Sequence, residues 1–144
     1  MKKIIIALSA FFSLTSAQAF AADVVPANIV HSFISTFKNA RDIAWEETNG
    51  YNVASFIQNG VKSSAYYDQD GKLVVVGTQI NPSSLPTQLA SKLDQDFASF
   101  AVTALFEMKD EFGTSYYATI TDGKKVKVLK GDSKKWTVVV TKRK

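Results

Sequence analysis

Residues 43–80 read IAWEETNGYNVASFIQNGVKSSAYYDQDGKLVVVGTQI, and in them apolar-rich runs alternate with turn dipeptides. The runs contain many β-branched and aromatic residues, which favour strands. The dipeptides Asn49-Gly50, Asn59-Gly60 and Asp70-Gly71 accept the positive φ angles of tight hairpin turns. We therefore predict four antiparallel strands that form a meander: Ile43–Thr48, Tyr51–Gln58, Val61–Asp68 and Lys72–Ile80.

An amphipathic helix is predicted before these strands. After Pro26, apolar residues recur at helical spacing, namely Ile29, Val30, Phe33, Ile34 and Phe37. A proline suits the first turn of a helix because its fixed φ is helical and it lacks an N–H that would be unpaired there. A second helix is predicted after Pro86, with Ser83 or Ser84 as a possible N-cap and with apolar residues at matching offsets: Leu89, Ala90, Leu93 and Phe97.

The second helix is followed by four more strand-like runs, with Asp122-Gly123 and Gly131-Asp132 at turns: Phe100–Lys109, Thr114–Thr121, Lys124–Lys130 and Lys135–Lys142. The pattern predicts an α+β fold made of a tandem repeat, each copy a helix plus a four-stranded antiparallel meander, with boundaries at about 24–82 and 83–144. We expect the two copies to join into one curved sheet with both helices on one face. The other face would then be open as a docking surface.

The N-terminal residues have the three parts of a secretory signal peptide. Lys2 and Lys3 precede an apolar run from Ile4 to Leu14, and small and polar residues follow as far as Ala19. The apolar run is shorter than the roughly twenty residues that a membrane-spanning helix needs. We expect residues 1–21 to contain a signal peptide that is cleaved after Ala19 or after Ala21. Residues 22–144 are then expected to form a single domain that works in the periplasm or outside the cell without a membrane span. The chain has no cysteine, so no disulfide can stabilise it.

Two tyrosine pairs are the candidate binding residues: Tyr66, Tyr67, Tyr116 and Tyr117. Successive residues of a strand point to opposite faces, so one ring of each pair is expected on the face away from the helices. Strand aromatics also form cores, and that alternative stays open for these rings. Trp45 and Trp136 are assigned to packing.

Charge is unevenly distributed along the chain. Residues 23–123 contain 6 basic and 12 acidic side chains, whereas residues 124–144 contain 9 basic and 1 acidic side chain. A basic surface of this kind attracts anionic glycans, lipid head groups or acidic proteins, and an exported protein seldom meets nucleic acid. Alternatively, the lysines protect a sheet edge against self-pairing. The candidate basic patch contains Lys124, Lys125, Lys127, Lys130, Lys134 and Lys135, and Lys142, Arg143 and Lys144 follow it.

The sequence favours a protein that has neither a cofactor nor catalytic activity. It has no cysteine and one histidine, His31, so neither a zinc cluster nor a Cys–His pair can form. Glu46 and Glu47 are strand neighbours that point to opposite faces. The segment from Asp68 to Gly71 resembles the start of a calcium loop, but a hairpin turn explains it better. An enzyme whose serines and carboxylates meet only in the folded chain remains an alternative.

The turn and core residues together resemble the PepSY-like, β-lactamase-inhibitor-protein-like (BLIP-like) family of secreted bacterial proteins. The resemblance covers nearly all of residues 22–144. In the second copy, Gly131 to Trp136 stands where the family usually has another D-x-D-G turn. The matching residues are Trp45, Asn49-Gly50-Tyr51, Ala54-Ser55-Phe56, Asn59-Gly60, Ala65-Tyr66-Tyr67-Asp68-Gln69-Asp70-Gly71-Lys72-Leu73, Ile80 and Leu85-Pro86.

The resemblance implies tandem α+β units that present a concave sheet, an arrangement associated with binding or inhibiting other proteins. We therefore expect a non-enzymatic exported module that holds a protein or peptide on its open sheet face, with a protease or a cell-envelope enzyme as a possible target. The alternative is a protein that binds anionic envelope components through its basic C-terminal residues. Fold likeness alone assigns neither function.

Overall fold

A computed structural model describes residues 25–144 of the protein. The expected signal peptide, residues 1–21, lies outside the described residues. The described chain contains two helices, a short 3-10 turn at Pro82–Ser84 and eight strands. In chain order these are α1 (Ala27–Thr36), β1 (Arg41–Thr48), β2 (Tyr51–Gln58), β3 (Val61–Tyr67), β4 (Leu73–Gln79), α2 (Thr87–Asp96), β5 (Ala101–Asp110), β6 (Gly113–Thr121), β7 (Lys125–Gly131) and β8 (Trp136–Arg143).

The chain divides into two compact units, the first ending at Val76 and the second running from Gly77 to Lys144. The strand order in the first unit is β1-β2-β3-β4, and the order in the second is β5-β6-β7-β8. The pairings β1–β2, β2–β3, β5–β6, β6–β7 and β7–β8 are antiparallel. The fold is therefore α+β. That the two halves are copies of one repeat, and that their strands form one curved sheet, stay predictions.

In the first unit, the turn residues have the backbone angles expected from the sequence. Asn49 and Gly50 have φ of 51° and 80°, and Asn59 and Gly60 have φ of 52° and 77°. These positive angles allow two-residue hairpin turns, and only residues such as Asn and Gly adopt them at low cost. At the next turn, the Asp68 Oδ1 atom accepts hydrogen bonds from the backbone N–H groups of Asp70 and Lys72. Asp68 therefore organises a hairpin turn.

The core of the first unit lies between α1 and one face of its strands. The Phe33 ring meets the Trp45 and Phe56 rings edge to face, at centroid distances of 5.3 and 5.0 Å. Such aromatic pairs add to the stabilisation that burial already provides. The packing role predicted for Trp45 is confirmed, because its side chain is buried in this cluster. Ile34 is exposed, although its spacing placed it on the apolar face of α1.

The core of the second unit has the corresponding position, between α2 and one face of its strands. Leu89 and Leu93 of α2 are buried against Leu105, Ile120 and Leu129. The Trp136 ring packs at the side of this cluster, and its Nε1–H donates a 2.9 Å hydrogen bond to the Leu89 carbonyl oxygen. A packing role for Trp136 is thereby confirmed.

The start of α2 differs from the expectation. Pro86 occupies the N-cap position, and no side chain caps the helix. Ser84 lies in the preceding 3-10 turn, where its backbone N–H donates to the Asn81 carbonyl oxygen. The prediction of Ser83 or Ser84 as the N-cap is therefore wrong, because the turn keeps both residues upstream of the helix. Neither described helix is long and apolar enough to cross a membrane.

Candidate protein-binding surface

The first tyrosine pair is fully buried. Tyr67 faces α1 and lies 6.1 Å from the Trp45 ring between centroids, whereas Tyr66 points to the other face, opposite Val53 in the strand register. The alternation is as expected, but both side chains have an exposed fraction of 0%. Burial raises the pKa of the Tyr67 phenol, while the Ser32 side chain acts in the opposite direction. The expectation that one of these rings is exposed needs correction.

The second pair behaves similarly. Tyr117 is buried, and Tyr116 is half-buried against the α2 core. Tyr117 shares the face away from α2 with Phe106, Met108 and Val128, and all three of these side chains are also buried. The inner strands of the second unit therefore do not present the open apolar face that the pattern predicted. Strand alternation specifies the face of each ring but cannot specify what covers that face.

The exposed apolar side chains lie elsewhere in the described chain. Phe112 has an exposed fraction of 76% and lies in the turn between β5 and β6. Asp110 Oδ1 accepts hydrogen bonds from the backbone N–H groups of Phe112 and Gly113, at 2.8 and 3.0 Å, so the turn that carries the ring is well defined. In β8, the consecutive residues Val138, Val139 and Val140 have exposed fractions of 44%, 46% and 37%.

β8 owes this exposure to its place at the edge of the sheet. Within residues 25–144, β8 has a strand neighbour on one side only, which is β7. Val138 lies opposite Leu129 and Val140 lies opposite Val128, so Val139 is an extra residue that forms a bulge. The outer side of an edge strand presents unpaired backbone N–H and C=O groups, which can pair with another chain.

The basic residues form two groups at opposite ends of the β7–β8 hairpin. Lys134 and Lys135 lie in the turn between the two strands. At the other end, Lys125 lies opposite Arg143 and the Lys144 N–H donates to the Lys124 carbonyl oxygen. We call these groups the turn cluster (Lys134, Lys135) and the terminal cluster (Lys124, Lys125, Lys142, Arg143, Lys144). β8 spans about 26 Å between them at the usual rise per strand residue.

Two lysines of the predicted patch lie between these clusters, on opposite faces of β7. The Lys127 ammonium lies 4.8 Å from the centre of the Phe100 ring, on the α2 face. The Lys130 ammonium lies 5.8 Å from the centre of the Tyr117 ring, on the other face. Both ammonium groups therefore make cation–π contacts. The patch predicted from the sequence is thus two end clusters and two ring contacts. Lys127 and Lys130 lie on opposite faces because they are three positions apart in β7.

Carboxylates hold the turns that carry these lysines. Asp122 Oδ1 accepts hydrogen bonds from the N–H groups of Lys124 and Lys125, at 2.9 and 2.7 Å, and Asp132 Oδ1 does the same for Lys134 and Lys135, at 2.8 and 3.0 Å. These backbone hydrogen bonds lower the pKa of both aspartates. The loops are therefore ordered, and their lysine side chains remain exposed.

A small polar group lies on the face of the first unit away from α1. Glu46 lies opposite Val53, and Val53 lies opposite Tyr66. Ser64 is two residues before Tyr66 in β3 and therefore lies on the same face. The Glu46 Oε1 and Ser64 Oγ atoms are buried and have no hydrogen-bond partner among the described residues. Burial raises the pKa of Glu46. A carboxyl group in this setting is easier to protonate than one in water.

A metal site needs several ligand side chains, and nucleophilic catalysis needs a nucleophile beside a base. No group of three or more histidine or acidic side chains in residues 25–144 is placed to hold a metal ion, and His31 is exposed on α1. A cleft of about 690 Å³ is lined by residues that include Arg41, Asp42 and Asn59. A smaller one of about 200 Å³ lies beside Phe97 and Phe100. Neither cleft contains a nucleophile beside a base.

Several solved structures with a similar fold come from Bacteroides species. A BLIP-like protein from Bacteroides fragilis matches with a TM-score of 0.62 and 19% identity, over 82% of this chain and 85% of that chain. The chain therefore has the fold of BLIP-like proteins. A DUF2874 family protein from Bacteroides uniformis also matches, with a TM-score of 0.70 and 13% identity over 82% of this chain and 88% of that chain.

A third similar structure is that of a protein from Bacteroides eggerthii that carries a provisional periplasmic designation. Its TM-score is 0.71 and its identity is 15%, over 82% of this chain and 88% of that chain. No family model matches the sequence, and no curated protein matches it either. At these identities the likeness is one of fold. It confirms the resemblance to BLIP-like proteins that the turn and core residues indicated.

Sequence reasoning did not single out the exposed part of this BLIP-like fold. The run from Val138 to Val140 was predicted only as part of the strand Lys135–Lys142. The lysines around it were the available signal, because charged residues protect a sheet edge against self-pairing. Phe112 had a weaker signal, which was an aromatic residue directly before a glycine between two strand-like runs.

Proposed function

We propose that the protein is a non-enzymatic, exported module that binds another protein or a peptide. The observation that carries the proposal is the exposed edge strand β8, whose three consecutive valines are the most concentrated exposed apolar group among the described residues. Solvent-exposed apolar groups rimmed by charge are typical of interaction sites. The contact surface is therefore β8 and its charged ends, in place of the tyrosine face expected from the sequence.

Two further observations support the proposal. Other proteins of this fold include one named after an inhibitor protein and one with a provisional periplasmic designation. The residues before Pro26 have the charge and hydropathy pattern of a secretory signal. In this proposal the tandem repeat serves as a scaffold, and inhibition of a protease or cell-envelope enzyme is one consequence that binding could have.

Site-specific photo-crosslinking tests the binding function. A photoreactive phenylalanine analogue replaces Val139 in one variant of the full chain and Ile34 in the other, because Ile34 is also apolar and exposed but lies on α1. We expect the first variant to form one crosslinked species of defined mass in bacterial cells, and the second variant to form none. If neither position crosslinks and nothing copurifies stoichiometrically with the wild-type chain, the binding function is wrong.

A second candidate function is attachment to anionic envelope components. The terminal cluster favours this function. Lys125 and Arg143 lie opposite each other, and the Lys144 backbone N–H donates a hydrogen bond to the Lys124 carbonyl oxygen, so five basic residues are close together. Vesicles that contain phosphatidylglycerol should then retain the protein at low salt, and vesicles of phosphatidylcholine alone should not. Retention should fall steeply above about 0.15 M salt, where the screening length is about 8 Å. Equal retention on both vesicles would remove this candidate.

A further inference from the structure

We infer that β8 accepts an extended peptide segment with acidic ends, which pairs with it as an additional strand of the sheet. This inference rests on the proposed binding function and names the chemistry of its partner. The first step is the edge itself: along β8, Thr137 to Arg143 are all exposed, and within residues 25–144 the strand pairs only with β7. Strand addition to such an edge is an established mode of peptide recognition, in which backbone hydrogen bonds supply affinity.

Charge selects the partner. The turn cluster and the terminal cluster lie at the two ends of β8, and the residues between them are uncharged: Trp136, Thr137, Val138, Val139, Val140 and Thr141. A complementary segment has an uncharged, β-branched centre of about six residues and a carboxylate-bearing side chain at each end. Because both ends of β8 are basic, the same segment satisfies the charges in either direction.

The same charges disfavour a second copy of this chain as the occupant. An antiparallel pair of β8 strands centred on Val139 would bring Lys135 opposite Arg143 and Lys134 opposite Lys144. A parallel pair in register would bring each basic residue opposite its own copy. Like charges directly opposite each other on neighbouring strands are destabilising. The lysines therefore disfavour self-pairing in these two registers, and the same positive charges attract an acidic strand.

The bulge at Val139 limits how the partner pairs. An extra residue bends the strand and interrupts the ladder locally. The side chains of Val138 and Val140 lie on opposite faces of the sheet on either side of that bend, since their partners Leu129 and Val128 do. A flexible peptide follows this bend more easily than the preformed edge of a rigid sheet. An extended segment therefore fits β8 better than a folded strand does.

Fluorescence anisotropy with three labelled peptides tests the inference on the purified wild-type protein. The acidic-ended peptide is DEVTVTVTED, the basic-ended peptide is KKVTVTVTKK, and DEVTPTVTED keeps the acidic ends but lacks one backbone N–H. We expect the acidic-ended peptide to bind more tightly than each of the other two by about tenfold or more. Equal binding of the acidic and basic peptides would overturn the inference. Equal binding of the proline peptide would show a charge contact without strand pairing and would overturn it too.

Charge reversal in the protein supplies the matched control. The variant K134E/K135E/K142E/R143E should prefer the basic-ended peptide, whereas K38E/R41E/K62E/K72E carries the same change of net charge at exposed positions of the first unit and should keep the wild-type preference. Hydrogen exchange adds a readout of pairing, because the acidic-ended peptide should slow exchange in β8 and leave β1 unchanged. An unchanged preference in the first variant overturns the inference. If a native partner still crosslinks at Val139 in that variant, the proposed binding function holds, and only the inference of an acidic-ended partner is wrong.

Discussion

At the scale of single residues, burial separates side chains that the sequence treats alike. Tyr66 and Tyr67 are neighbours in β3 and point to opposite faces, yet both are fully buried. Phe33 and Phe112 are the same residue type, but Phe33 lies at the centre of an aromatic cluster and Phe112 is exposed on a turn. Residue type therefore indicates what a side chain can do, and its neighbours determine what it does.

Glu46 carries the first prediction at this scale. Because burial raises its folded-state pKa above the ordinary value of 4.5, the folded protein binds more protons than the unfolded chain just above that pH. The contribution of Glu46 to the free energy of unfolding therefore decreases as the pH rises through this window. We expect Glu46→Gln to increase the free energy of unfolding at neutral pH, and the gain to disappear as the pH falls below 4.5. Urea denaturation at a series of pH values measures it.

The control for this prediction is Glu47→Gln. Glu47 is the next residue of β1, so it points to the opposite face, and its side chain is exposed. We expect this substitution to leave the free energy of unfolding nearly unchanged at every pH. A Glu46→Gln protein that is less stable than wild type at neutral pH would contradict the predicted sign.

At the scale of elements, the β7–β8 hairpin combines ordered turns with repelling charges. Asp122 and Asp132 each accept two backbone hydrogen bonds and hold the turns at the two ends of β7. Lys125 nevertheless lies opposite Arg143 across the strand pair. Directly opposed like charges cost stability, so the hairpin keeps an arrangement that folding alone would not favour. This cost is expected if the basic ends of β8 serve binding.

Arg143 provides the test of that cost. Replacing it with glutamate converts a repulsive cross-strand pair with Lys125 into an attractive one. We expect Arg143→Glu to raise the free energy of unfolding by about 0.2–0.5 kcal/mol at low salt, the lower part of the usual range because both side chains are exposed. Chemical denaturation at low and high salt measures the difference, which should shrink as salt screens the charges.

Arg143→Gln serves as the matched control, since it removes the repulsion without adding an attraction. Its stability should fall between those of the wild type and Arg143→Glu. A lower free energy of unfolding for Arg143→Glu than for the wild type would contradict the prediction that repulsion between Lys125 and Arg143 destabilises the protein.

At the scale of the whole molecule, the two units differ in net charge, in exposed apolar residues and in buried polar residues. Residues 25–76 contain 4 basic and 5 acidic side chains, whereas residues 77–144 contain 11 basic and 7 acidic ones. The second unit also contains β8 and Phe112, which are exposed and apolar. The first unit contains the buried polar group around Glu46 and Ser64. The proposed binding function therefore belongs to the second unit.

Export is the prediction that belongs to the whole chain. When the full chain is expressed in bacteria with a tag after Lys144, we expect it to be recovered outside the cytoplasm with Phe20 or Ala22 as its first residue. Mass spectrometry of the intact protein identifies that residue. Replacing Lys2 and Lys3 with glutamate removes the positive start of the signal and should retain the chain in the cytoplasm. An uncleaved cytoplasmic wild-type chain would contradict the prediction.

The fold could be predicted largely from local sequence features. The positive φ angles at Asn49-Gly50 and Asn59-Gly60, the helices after Pro26 and Pro86, and the packing of Trp45 and Trp136 all follow from residue type and spacing. The N-cap of α2 was predicted wrongly, because a serine just before a helix resembles a capping residue. Only the path of the preceding 3-10 turn shows that Ser83 and Ser84 lie too far upstream of the helix.

The candidate site was less predictable, because exposure is a property of the packed molecule. The sequence alone determined the succession of helices and strands, the chemistry of the turns and the strongly basic C-terminal residues, since these depend on neighbours within a few positions of the chain. The tertiary structure decided that Tyr66, Tyr67 and Tyr117 are buried, that Val138 to Val140 lie on an exposed edge, and that the lysines separate into two end clusters. Strand pairing and packing bring together residues far apart in the chain, and local patterns do not contain that information.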